Sequence, residues 1–171
     1  MPKIVDHEAY RLELASRAIG VFREFGYHAL GMRQIADELG VSKSALYHYF
    51  PSKKALFDTC SRLVTDVPVP SLMEDATTED RHRALVSWAM LLDAEFVGEL
   101  SLLVDYVRPL SRDEVRDNEA LRRSLRAFET SVAGIVGEQN APAALNQLLG
   151  ILVRRVFDGG ATGFESLRRY C

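Results

Sequence analysis

Eight side chains with a hydroxyl or an ammonium group fall within thirteen positions of this 171-residue chain: Ser42, Lys43, Ser44, Tyr47, Tyr49, Ser52, Lys53 and Lys54. Hydroxyls and ammonium groups are the donors that hold phosphate oxygens. Lys43, Ser44 and Tyr47 stand at i, i+1 and i+4, which puts them on one face at the start of a short helix. Arg33 adds a guanidinium able to bond guanine O6 and N7 in bidentate fashion. Competing chemistries lack their residues. His7, His28, His48 and His82 are scattered, none four residues from another His or a Cys, so a helical metal site is not expected. There is neither a glycine-rich phosphate loop nor a G-x-S-x-G elbow. Two cysteines make no disulfide framework: Cys60 reads as a small core hydrophobe, and Cys171 and His48 have no assigned role. No catalytic residue, metal or cofactor is expected. The chemistry on offer is contact with phosphates and base edges, and the partner expected from it is double-stranded DNA if a suitable mount carries these groups.

Such groups need a rigid mount, and the flanking pattern is that of a helix-turn-helix. In residues 7–25, Leu12, Ala15, Ile19, Phe22 and Phe25 recur at helical spacing, and Gly26 can end the helix with positive φ. Residues 32–39 predict a second helix, stopped by Gly40. Ser42 predicts the cap of a third, 43–50, ended by Pro51. Ala36 is small enough for a steep helix crossing, Val41 plugs the gap, and Leu46 anchors the third helix to the core. Ser52 caps a fourth helix, 53–65, whose N-terminus offers a further phosphate site.

Val67-Pro68-Val69-Pro70 then marks a linker. Helices are expected at 78–96, 98–109, 112–138, 142–158 and 164–170, with Thr78 and Asp113 as caps and Gly98 as a break. No strand or repeat pattern is found, so the fold class is all-α.

Composition sets the limits. With 47% hydrophobic and 26% charged residues the chain is an ordinary folded protein. The N-terminus lacks an apolar signal core and no stretch suits a membrane span, so a cytoplasmic protein is expected. The net charge of −3 argues against a polyanionic partner until it is divided. Residues 1–59 hold eight Lys/Arg against seven Asp/Glu, and residues 60–171 thirteen against seventeen. All four lysines, Lys3, Lys43, Lys53 and Lys54, precede residue 55; Lys3 is a candidate for a non-specific backbone contact.

Residues 11–57 resemble the N-terminal domain of TetR-family transcriptional regulators. The resemblance is carried by Ala18–Tyr27, Ile35–Lys43 and Ala45–Phe57, in gapless spacing. It implies a homodimeric DNA-binder, in most members a repressor released from a palindromic operator by a small molecule. It divides the chain into a three-helix DNA-binding domain, 1–52, a connecting helix, 53–65, and a helical ligand-binding and dimerisation domain, 66–171. By position, Arg33, Lys43 and Ser44 match base-reading sites, and Ser42, Tyr47 and Lys53 match phosphate sites. Tyr49 stands where the family commonly has His, and is expected to reach a phosphate. Gly31 replaces a usual capping Thr, and Ala45 a frequent Thr.

Beyond residue 70 no motif carries chemistry. A small apolar or aromatic ligand would be met by Trp88, Phe96, Tyr106 and Phe128. The apolar face of 142–158, with Leu145, Leu149, Leu152, Val153 and Val156, is the expected dimer interface, joined by 118–137 in a four-helix bundle. Ligand binding would then release DNA by moving helix 53–65 as a lever. The alternative is a dimeric regulator without a ligand, controlled by a protein partner.

Overall fold

The computed structural model describes residues 6–171, so Lys3 lies outside the described residues. Every element described is helical. Helix α1, His7–Phe25, starts on Asp6, whose carboxylate accepts from the Glu8 and Ala9 N–H groups. It ends at Gly26, whose φ of +85° suits glycine. Its buried stripe is Leu14, Ala15, Ala18 and Phe22, whereas Leu12 and Phe25 are each 38% exposed. The face that packs is therefore the one carrying the small Ala15 and Ala18, which permit close approach of neighbouring helices.

Helices α2, Met32–Glu38, and α3, Lys43–Tyr49, are joined by a turn in which Gly40 has φ +67° and Val41 N donates to Ala36 O at 3.0 Å. The Arg17 guanidinium donates to Leu39 O at the end of α2. Ser42 Oγ accepts from Ala45 N at 3.1 Å, and Leu46 is fully buried, as that motif requires. Helix α4, Lys53–Thr65, is capped by Ser52 Oγ, which accepts from Ala55 N. Cys60 is buried on its inner face, donates to Ala15 O, and has its thiol pKa pushed up to about 12 by burial.

Helix α5 runs unbroken from Thr78 to Val107. Gly98 does not interrupt it: an interior glycine costs about 1 kcal/mol against alanine, too little to break thirty residues of otherwise helical pattern. The cap is Thr77 rather than Thr78, with Thr77 Oγ1 accepting from Asp80 N and Asp80 Oδ2 accepting from Thr77 N. The expected helix 112–138 divides into α6, Arg112–Arg116, and α7, Glu119–Val136, around Asp117-Asn118. Here Ser111 rather than Asp113 caps α6, reciprocated by Glu114. Helix α8, Ala141–Asp158, is followed by a 3-10 helix, Glu165–Tyr170.

The described residues form two compact units, one running to residue 64 and taking in 98–120, the other of 65–97 with 121–171. In the first, α1–α4 are joined by the last third of α5. In the second, Leu85, Trp88, Ile135, Leu148, Leu152 and Leu167 make a core against which Val67, Val69 and Leu72 of the expected linker also pack. No helix among the described residues is long and apolar enough to cross a membrane.

Candidate DNA-binding face

Burial of Leu46 and Phe50 turns the opposite side of α3 outward, so Lys43, Ser44, Tyr47 and His48 are exposed. Lys43 Nζ lies 5.6 Å from the Tyr47 ring centroid, and Ser42 Oγ and Ser44 Oγ are 3.0 Å apart. Arg33 is exposed on α2, one residue past the helix start. The first turns of both helices thus present a guanidinium, an ammonium and three hydroxyls to solvent, on backbones held by buried Ile35, Ala36 and Leu46.

Tyr49 is half-buried. Its hydroxyl and His7 Nδ1 share a hydrogen bond of 3.0 Å, and its ring meets Tyr10 edge-on at 5.4 Å and His48 at 4.9 Å. His48 therefore packs against the phenol next to it. The His7 contact spans 42 residues and leaves no local signal. Gln34 was also missed. Its Oε1 accepts from Gly31 N at 2.9 Å, the half of a capping box that a glycine cap still allows, and a Gln three residues past a cap is a readable pattern.

Lys53 is turned inward. Its Nζ donates to Tyr27 O at 2.8 Å and Leu30 O at 2.9 Å and sits 4.5 Å above the Tyr27 ring. Burial lowers its pKa, against which the Asp105 charge raises it. Lys54 is exposed and pairs with Asp58 at 2.8 Å.

The four expected ligand contacts are divided between the two compact units. Trp88, fully buried, and Phe128, 6.2 Å away, belong to the core of the second unit. Tyr106 belongs to the first, stacked on Phe57 at 4.6 Å and bonded by Asn118 Nδ2 at 2.9 Å. Phe96 lines an open cleft of about 350 Å³ with Asp93, Val97, Arg155, Val156 and the glycine pair 159–160. At its base Arg155 Nε and Nη2 donate to the two oxygens of Asp93 at 2.9 and 2.8 Å, while Nη1 donates to Gly160 O and Thr162 O. Sixty-two residues separate that pair, beyond the reach of any sequence pattern.

Of the expected interface residues, Leu145 and Leu152 are spent on the core of their own chain, because the inner face of α8 carries them. Leu149 and Val156 are half-buried, and Val153 is 37% exposed. On α7 and α8, two large apolar residues outside that set are more exposed: Phe157 at 83% and Leu125 at 55%.

Residues 14–60 match the sequence profile of the bacterial regulatory proteins of the tetR family. The HTH-type transcriptional regulator PksA of Bacillus subtilis strain 168 is 30% identical over 155 residues, covering 86% of this chain and 69% of PksA. The HTH-type transcriptional regulator RutR of Escherichia coli strain K12 is 39% identical over 122 residues, 57% of this chain, and the match spans only 58% of RutR. Among solved structures, the multidrug binding protein EbrR complexed with imidazole superposes with a TM-score of 0.63 at 20% identity, over 93% of this chain and 90% of EbrR. The TetR-family regulator PfmR of Thermus thermophilus gives 0.60 at 22%, over 91% and 92%. At those identities the likeness is one of fold.

Proposed function

Because this chain belongs to the TetR family of bacterial regulatory proteins, we propose that it is a sequence-specific DNA-binding transcriptional regulator that acts by binding and not by catalysis. The observation that carries this reading is the exposed face of α3: Lys43, Ser44 and Tyr47 point away from a buried Leu46 at the end of the helix that enters a major groove in such motifs. Arg33, Lys43 and Ser44 read bases; Ser42, Tyr47 and Tyr49 hold phosphates. Two copies of α3 on one palindrome require a homodimer with half-sites about 34–36 Å apart. The exposed Leu125 of α7 and Val153 and Phe157 of α8 support self-association through those helices.

Release by a small molecule is the proposed control, and the operator is thereby repressed in the ligand-free state. The solved relatives include EbrR with proflavin bound and the flavonoid-responsive regulator FrrA, which supports an aromatic ligand. In this chain the indole N–H of Trp88 is buried with no acceptor, a costly state that a ligand oxygen would relieve. Helix α5 contributes residues to both compact units, which supports it, beside α4, as a carrier of the ligand's effect.

Selection from random duplexes tests the central claim. The purified protein should enrich an inverted repeat at moderate salt; enrichment of no sequence overturns the regulator reading. Titration of metabolite pools against the fluorescence of Trp88, the single tryptophan, tests the ligand. A flat response throughout favours control by a protein partner, for which the exposed Met90, Leu91 and Val97 of α5 offer a surface.

A further inference from the structure

An alkylammonium has three donors. In Lys53 two of them are committed to Tyr27 O and Leu30 O, and the face of the Tyr27 ring lies 4.5 Å beneath the charge. Both carbonyls belong to the segment 26–31 between α1 and α2, outside any helix. The same segment is gripped a second time by Asp105 of α5, whose Oδ2 accepts from His28 N at 3.1 Å. A side chain at Gly26 would bring its Cβ to 3.0 Å from that carboxylate, so besides the strain of its positive φ a substitution would press on Asp105.

What this segment delivers is the start of α2. That helix has seven residues, too few to be stable alone, and its first turn has no side-chain cap because Gly31 occupies the cap position. The direction of Arg33, its second residue, therefore depends on where the segment ends as well as on the buried Ile35 and Ala36. We propose that Lys53 is a positioning residue: it ties segment 26–31 to the start of α4, and so aims α2 and Arg33, instead of holding a phosphate itself. This rests on the DNA-binding reading above. The lowered pKa of Lys53, caused first by burial, fits an ammonium packed into the protein.

The test uses the full chain, the operator recovered by selection, and the variants Lys53→Met, Tyr27→Leu and their double. Lys53→Met keeps the apolar stem and removes the donors; Tyr27→Leu removes the ring without changing any charge. Three quantities are read: the slope of log K against log salt on random duplex, the discrimination at the base pair that Arg33→Ala identifies, and amide exchange at Gly31–Gln34. Lys53→Met is expected to leave the salt slope at the wild-type value, to cut discrimination at that base pair by roughly tenfold, and to speed exchange at Gly31–Gln34. Tyr27→Leu is expected to shift the same two readouts in the same direction, and the double to lose less than the two singles together. A salt slope flatter by about one unit, with discrimination and exchange unchanged, makes Lys53 a phosphate contact and overturns the proposal. Should Lys53→Met not fold, a Tyr27→Leu protein with wild-type discrimination and exchange overturns it equally. If the wild-type protein enriches no site, the proposal falls with the reading it rests on, and the exchange data alone show whether Lys53 ties the segment.

Discussion

Lys43 stands free on the first turn of α3, its ammonium beside the Tyr47 ring and the rest of the side chain in solvent. A cation in that position is available to a base edge, and Lys43→Ala is expected to cost about 1–3 kcal/mol on the operator while relaxing its specificity. The check is competition between operator and random duplex; equal losses on both would reduce Lys43 to a backbone contact. Ten residues on, Lys53 has the same residue type and a different fate, because the Tyr27 and Leu30 carbonyls accept from it. Residue type and spacing are legible in sequence, but which acceptor claims a donor is a matter of distance. The hydrogen bond between the Tyr49 hydroxyl and His7, 42 residues away in sequence, is likewise invisible to spacing, and it orients the phenol for the phosphate proposed for it.

At the scale of the element, α2 and α3 are each seven residues long, so capping weighs heavily in their stability. Ser42→Ala removes the acceptor for Ala45 N and is expected to cost about 0.5–2 kcal/mol in denaturant unfolding. Gly31→Thr works in the opposite sense. The backbone at Gly31 is extended, with φ −85°, and an added Cβ would meet only Gln34 Oε1 at 3.7 Å. Threonine there should stabilise by about a few tenths of a kcal/mol and tighten operator binding by supplying a hydroxyl to the backbone. A drop in melting temperature would show that the threonine side chain disturbs the Gln34 contact to Gly31 N by more than its own capping bond returns. Helix existence was readable throughout from apolar spacing and cap residues. Boundaries were less so: Gly98 is tolerated inside α5, and Asp117-Asn118, which contains neither glycine nor proline, divides α6 from α7.

At the scale of the whole molecule, the apolar residues of α8 divide between two duties that the sequence shows as a single stripe. Leu145, Leu148 and Leu152 are buried in the core, whereas Val153 and Phe157 face outward. Phe157→Asp is expected to convert the proposed dimer to monomer in analytical ultracentrifugation while leaving the melting temperature of the monomer little changed. Leu145→Ala, by contrast, should destabilise by about 2–5 kcal/mol as a core cavity. A Phe157→Asp protein that still sediments as a dimer would place the contact elsewhere. The net charge of −3 also acts at this scale: the acidic excess of residues 60–171 is expected to oppose non-specific adhesion to DNA, so random-duplex binding should be weak at low salt, and added salt should weaken it further only through competition with the cations of the binding face.

The sequence by itself determined the all-helical class, the turn at Gly40, the cap at Ser42, and the outward face of Lys43, Ser44 and Tyr47. All of these depend on intervals of a few residues, where helical geometry converts spacing directly into direction. Only the tertiary structure decided that Lys53 faces inward, that Trp88 and Tyr106 belong to different units, and that Asp93 and Arg155 meet at the base of a cleft. Those are contacts between groups some twenty to sixty residues apart, and they are settled by which helices pack together and how closely.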